Sequence, residues 1–134
     1  IPPILEKGAL NPIEKYSSND DGTVATAFSY LTSSDGQQKS FTSKAFIQKD
    51  TGNAIWGMQF VWPIKADYRI VFLSSDSRIV VVARKKRDFL WIMSRDQQIS
   101  EIQLENLIKF SSDLGYDKAK IEISNWQRAL REVK

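Results

Sequence analysis

The stretch Arg87-Asp-Phe-Leu-Trp-Ile-Met-Ser-Arg-Asp-Gln-Gln-Ile-Ser100 joins a strand, an arginine and a helix start in one run. Phe89, Trp91, Met93 and Arg95 fall on one face at the two-residue period of a strand. Leu90 and Ile92 fall on the other. Both faces are apolar, so the strand must be covered on both sides. Ser100, with Glu101 behind it, signals a helix N-terminus. Leu104, Leu107, Ile108 and Leu114 follow at helical spacing, and Gly115 closes the segment. The helix therefore has an apolar stripe to lay on the outer face of that strand. What faces the inner side is the functional question.

Working outward, turn signals recur at short intervals: Asn19-Asp-Asp-Gly22, Ser33-Ser-Asp-Gly36, Asp50-Thr-Gly-Asn53, Pro63, Ser74-Ser-Asp-Ser77 and Arg84-Lys-Lys-Arg87. The segments between them are rich in β-branched and aromatic residues. They predict seven strands, at 12–18, 23–31, 41–47, 54–60, 67–73, 78–84 and 88–94, connected as an antiparallel meander, sandwich or barrel. The long helix is expected at 100–114, a short edge strand at Ala119 to Ser124, and a helical turn over Asn125 to Lys134. An up-and-down barrel closes with antiparallel neighbours only when its strand number is even. Seven strands leave two open edges, so an eighth strand is expected from upstream of Ile1 or from another polypeptide.

The composition excludes several chemistries. The chain has 134 residues, enough for one domain with a core, and neither cysteine nor histidine. Disulfides, thiolate metal sites and cysteine nucleophiles are excluded, and the commonest general base and metal ligand is absent. No metal site or cofactor is expected. The net charge of +3 is too mild to argue for nucleic acid. The Arg84 to Arg87 run is short and has no stacking aromatics arranged around it, so no nucleic-acid partner is expected. The longest apolar run, Ile79 to Ala83, is far short of a membrane-spanning helix.

Four stretches together resemble one family. Phe89-Leu-Trp-Ile-Met-Ser-Arg95 resembles the last barrel strand of the lipocalins, in their bacterial lipocalin and apolipoprotein D branch. Gln59-Phe-Val-Trp-Pro-Ile-Lys-Ala-Asp-Tyr68-Arg-Ile-Val-Phe-Leu73 resembles that branch's strand, proline loop and tyrosine-led strand. Leu5-Glu-Lys-Gly8, with Asn19-Asp-Asp-Gly22 after it, resembles the first large loop and second strand. Gly115-Tyr-Asp-Lys-Ala-Lys-Ile121 resembles the strand entered after the helix. The resemblance implies a mainly β fold: a lipocalin-type up-and-down antiparallel barrel, seven of eight strands in this chain, with one C-terminal helix packed outside. Residues 1–134 are then a single lipocalin domain without the first strand, which in the family carries a glycine-any-tryptophan motif.

Alternation within such a barrel points Phe89, Trp91 and Met93 into the cup, with Trp56, Met58 and Phe60 as a second inward row. Ala45 and Ile47 form a smaller row. Tyr68 leads a further strand, with Ile70 and Phe72 on its parity. By pattern alone a closed core is the favoured reading, because aromatic stripes are usually core. The resemblance favours a ligand cup with wide, adaptable walls. Arg95 has two readings: a ligand carboxylate partner, or a structural arginine at the barrel floor. The family pattern favours the structural one. No inward carboxylate stands out.

Successive loops of a meander alternate between its two ends. One end gathers Lys39, Lys65, Arg84, Lys85, Lys86 and Arg87, and in the family this end is the open mouth. The other gathers Asp20, Asp21, Asp50 and Asp76 against Lys49. The expected picture is a basic mouth over an acidic floor, attractive to anionic amphiphiles or an anionic membrane surface. Trp62, beside Pro63, would sit at that mouth. The expected function is binding and transport of a hydrophobic or amphipathic small molecule, a fatty acid or lysophospholipid, without enzymatic turnover. The alternative is a lipocalin-fold structural subunit or interaction module with a protein partner. The resemblance implies an extracytoplasmic or membrane-associated setting: periplasm or outer membrane in a bacterium, an organelle lumen in a eukaryote.

Overall fold

A computed structural model describes residues 9–32 and 36–123. Seven strands form one antiparallel sheet in sequence order: β1 Leu10–Ser18, β2 Val24–Leu31, β3 Gln38–Ile47, β4 Ile55–Val61, β5 Ile64–Leu73, β6 Ile79–Ala83 and β7 Leu90–Ser94. One helix, α1, spans Glu101–Asp113. Each strand pairs with the next in the chain, and among the described residues no ladder joins β1 to β7. The open edges expected from an odd strand count are therefore present in the described fold.

Three strands begin earlier than the sequence suggests, β1 at Leu10 among them. β5 starts at Ile64 because Val61 and Ile64 pair directly around a two-residue tip, Trp62-Pro63, whose peptide bond is cis. β3 starts at Gln38, paired with Leu31. The expected edge strand at Ala119 to Ser124 is not formed in its described part. Lys118–Lys120 is a 3-10 turn, and 121–123 pair with nothing in the sheet. The physical reason lies at Asp117, whose carboxylate accepts the Ala119 backbone N–H at 2.9 Å and offers the chain a local turn instead of a ladder. Residues 125–134, where a helical turn was expected, lie outside the described residues.

The outer face of β6 and β7 holds the densest packing. Ile79, Val81, Ala83 and Leu90 are buried against Leu107 of α1 and Tyr116, with Ile92, Phe110 and Leu114 around them. Ser100 and Gln103 cap the start of α1 reciprocally. At its end Gly115 adopts φ +104°, a left-handed turn that favours glycine and ends the helix sharply. The guanidinium of Arg87 lies against Gly115, and its Nε donates to the Leu114 carbonyl at 2.6 Å. A cation at a helix C-terminus also complements the helix dipole. Tyr116 donates its hydroxyl to the Phe89 carbonyl at 2.8 Å. Together these bonds tie the β6–β7 turn to the helix end.

Phe72 corrects the parity expected from the sequence. An irregularity in the β5–β6 register between Ile70 and Phe72 shifts the phase by one residue. Phe72 then turns outward and packs on Phe110, with ring centroids 5.7 Å apart.

Two outcomes are expected. Leu107→Ala should cost about 2–4 kcal/mol in urea unfolding, because the cavity lies at the centre of the helix–sheet contact. A loss below about 1 kcal/mol would mean that α1 is not the cover of the outer face. The second concerns acid. The Thr23 hydroxyl and backbone N–H hold the Asp21 carboxyl down to about 2, and the Arg78 guanidinium lowers that of Asp96. A folded-state pKa below the unfolded value stabilises at neutral pH. That contribution should be complete above about pH 4 and fall away towards pH 2. Carboxyl NMR titration of both residues checks it.

Candidate functional site

The cross-strand registers define the inner face. Tyr16 pairs with Thr26, and Thr26 with Ser43. Ala45 pairs with Met58, and Met58 with Ala66. Ile47 pairs with Trp56, and Trp56 with Tyr68. Ile70 pairs with Val82, and Val82 with Trp91. Directly opposed residues share a face, so all of these point to one interior.

Aromatic rings run through that interior as a chain. Trp56 stacks on Tyr68 at 5.6 Å, Tyr68 on Trp91 at 6.0 Å, and Phe89 tilts against Trp91 at 6.2 Å. Tyr16 meets the Trp56 ring edge-on at 5.9 Å. Its hydroxyl is hydrogen-bonded to that of Tyr68 and lies 3.9 Å from the Met93 sulfur. These contacts cross the interior and bring β1 and β7 to one cluster without a ladder between them. The structure thus gathers Trp56, Tyr68, Phe89, Trp91 and Met93. Met58 is buried on the adjoining wall, where Ser43 Oγ approaches its sulfur to 3.0 Å and the Thr26 hydroxyl to 3.8 Å. The Trp56 indole N–H donates to the Asn53 carbonyl at 2.8 Å, which fixes the ring.

Phe60 departs from the expected row. The β4–β5 register is irregular between Met58 and Val61, so the alternation ends at Met58. Phe60 is 62% exposed at the hairpin tip instead of forming a wall. Two groups not singled out in the sequence join the interior. Tyr16 is one. Phe28, Tyr30 and Phe41 are the other, stacked at 5.5 and 6.1 Å. Their signal was the alternation of Thr26, Phe28 and Tyr30 along β2. Glu14, opposite Phe28, is an inner-face carboxylate that the sequence reading did not pick out.

The expected basic rim separates into two groups. Lys39, Lys85 and Lys86 are exposed at the β2–β3 and β6–β7 ends. The other three have structural partners. Lys65 crosses Gly57 and places its ammonium 3.9 Å from the Phe46 ring centroid, on the outer wall. A side chain at Gly57 would meet Lys65 at 3.2 Å, so the glycine permits this crossing. Arg84 lies over the Phe89 ring at 5.3 Å and pairs with Asp88 at 3.3 Å. Arg87 is spent on the helix end. At the far end the acids are offset more than expected: Arg78 pairs with Asp96, and Lys44 with Asp21 at 3.3 Å. Arg95 lies at this far end, its Nε donating to the Ser77 carbonyl at 2.8 Å. Among the described residues no group of acidic side chains is placed to hold a metal ion.

Comparison with known proteins agrees with this architecture. The family model described as a lipocalin-like domain matches residues 1–125. The outer membrane lipoprotein Blc of Citrobacter freundii is 24% identical over 117 residues, covering 87% of this chain and 66% of that protein. Blc of Escherichia coli K12 is 25% identical over 116 residues, with the same coverage. The chain therefore spans slightly less than two thirds of the length of these relatives. Among solved structures, the cockroach allergen Per a 4 superposes with a TM-score of 0.69 over 97% of this chain and 82% of its own. At 13% identity that likeness speaks for the fold alone. On the family match, with the meander sheet, the outer helix and the aromatic interior, this chain belongs to the lipocalin family.

Proposed function

We propose that the protein binds and carries a hydrophobic or amphipathic small molecule in its cup, non-covalently, and that the molecule is a fatty acid or lysophospholipid. One observation carries this reading: the inner-face chain Trp56–Tyr68–Trp91–Phe89, with Met93 and Tyr16 against it. Flat rings and a flexible thioether suit an acyl chain better than a directional polar ligand. Burying the chain supplies the driving force, about 0.8 kcal/mol per methylene. Lys39, Lys85 and Lys86, exposed on connections at one end of the sheet and without the packing partners that Lys65 and Arg87 have, would meet the anionic headgroup. The relatives' name, outer membrane lipoprotein, supports an extracytoplasmic, membrane-associated setting for this chain too.

A second reading is favoured by the close stacking of the rings and the open β1 and β7 edges: a lipocalin barrel kept as a subunit, its interior filled by its own side chains. Native mass spectrometry separates the two. A carrier releases lipid on activation, whereas a subunit travels with protein.

Tyr68 lies between Trp56 and Trp91, so a ligand that parts this stack should change the emission of both indoles. Titration with a long-chain fatty acid should therefore alter intrinsic fluorescence. Trp91→Ala should weaken binding about tenfold or more, the equivalent of about 1.4 kcal/mol. Trp62→Ala should change it far less. Equal effects of the two substitutions would sink the assignment of the cup. For the headgroup, the acid should bind better than its methyl ester, and the preference should shrink with salt and in Lys85→Gln/Lys86→Gln. A preference that ignores both would leave apolar burial as the whole of recognition.

A further inference from the structure

Tyr16 on β1 and Tyr68 on β5 stand four strands apart in the sheet, yet their hydroxyls are hydrogen-bonded to each other. A bond between strands that are not neighbours crosses the interior instead of following the wall. Tyr16 also meets the Trp56 ring at 5.9 Å, and Tyr68 is stacked between Trp56 and Trp91. Side chains from β1, β4, β5 and β7 thus close on one layer across the cup.

This layer divides the inner face. β4 runs towards the end that carries the β2–β3, β4–β5 and β6–β7 connections, so Met58 lies on that side of Trp56. The rings of Phe28, Tyr30 and Phe41 continue the wall in the same direction, beyond Thr26, whose hydroxyl is 3.8 Å from the Met58 sulfur. β7 runs the other way, so Met93 lies past Trp91, with its sulfur 3.9 Å from the Tyr16 hydroxyl and Val80 opposite it. Along β5 the wall from Ile64 to Tyr68 is four residues long, about 13 Å at the rise of a strand. A short acyl tail entering from that end is accommodated before the layer. A longer one meets the two hydroxyls.

We propose that the Tyr16–Tyr68 hydroxyl pair is a latch that sets how long an acyl chain the cup accepts before it has to open. The proposal rests on the carrier reading and adds to it the residue pair that grades its ligands by length. One hydrogen bond is worth about fivefold in affinity, and each methylene buried about fourfold. A tail that ends at the layer gains nothing by parting the hydroxyls. A tail that carries about two methylenes or more past them outweighs the bond and reaches the Met93 side. The pair therefore makes discrimination stepwise in chain length, where a plain apolar cup would make it smooth.

The test is a series of saturated fatty acids, octanoate to stearate, titrated into the whole chain. In the wild type the gain per added methylene should pause where the tail reaches the layer and resume beyond it. Tyr16→Phe keeps the ring and removes the bond. The pause should then vanish, stearate should bind about fivefold tighter, and octanoate should bind as before. Tyr68→Phe should do the same and serves if the first variant folds poorly. Tyr30→Phe removes an inner-face hydroxyl outside the layer and should leave the profile unchanged. The wild type alone gives a further readout, because its two methionines lie on opposite sides of the layer. In methyl NMR octanoate should shift the Met58 signal and spare Met93, and stearate should shift both. A length profile that both latch variants share with the wild type overturns the latch and leaves the carrier standing. So does a Met93 signal that octanoate and stearate move alike, or a Tyr30→Phe profile that changes as the latch variants do. No binding of any acid by any of these proteins overturns the carrier reading, and the latch with it.

Discussion

The interior of this protein is fixed from outside. β7 is five residues long, and its alternation sends Leu90 and Ile92 to the helix while Trp91 and Met93 turn inward. A one-residue slip would exchange the two sets. What prevents the slip is the helix contact, together with two bonds at the neighbouring turn: Arg87 to the Leu114 carbonyl and Tyr116 to the Phe89 carbonyl. β6 carries the same arrangement, Val81 outward and Val82 opposite Trp91. The chemistry of the cup therefore depends on packing that no ligand touches.

That dependence explains which parts of the fold were readable in the sequence. Strong two-sided patterns, such as Phe89 to Met93, and capped ones, such as Ser100 to Gly115, declared themselves locally. The seven-strand order followed from turn chemistry at Asn19 to Gly22 and Ser74 to Ser77. Features set by register did not declare themselves. Phe72 and Phe60 lie beside irregularities in the ladder, and a bulge is decided by the partner strand, which simple alternation does not see. Tyr16 stayed hidden because its strand, Ile13-Glu-Lys-Tyr16-Ser-Ser18, is polar on both parities, so its face is chosen by pairing with β2. The segment after Gly115 resembles a strand of the family, and the Asp117 side chain decided otherwise.

Charge was legible as location but not as use. Loop alternation places six basic residues at one end, yet three of them have packing partners. A long cationic side chain is also a hydrocarbon stem and a π partner. Lys65 spends both on Phe46, in a position that Gly57 leaves open. Arg84 covers Phe89, and Arg87 ends a helix. The cations left at the rim are the two lysines at the tip of the β6–β7 turn and Lys39 at the start of β3. Lysine is the residue type suited to that place, a hydrated point charge that meets a headgroup without demanding one geometry.

The polar groups of the interior bear on where such a headgroup would lie. Two hydroxyl pairs face inward, Tyr16 with Tyr68 and Thr26 with Ser43, and each lies beside a methionine sulfur. Within a pair one hydroxyl donates to the other, so the pair is largely satisfied without a ligand, and a thioether is only a weak acceptor for the remaining proton. Such groups tolerate an acyl chain without requiring a polar atom from it. Glu14 also lies on this inner face, opposite Phe28. An anionic amphiphile of the kind proposed would therefore find no built partner for its head in these hydroxyl pairs, and would meet exposed cations at Lys39, Lys85 and Lys86. In the proposed carrier that orientation would lay the tail along the aromatic chain Trp56–Tyr68–Trp91, where flat rings accept a hydrocarbon without a polar partner.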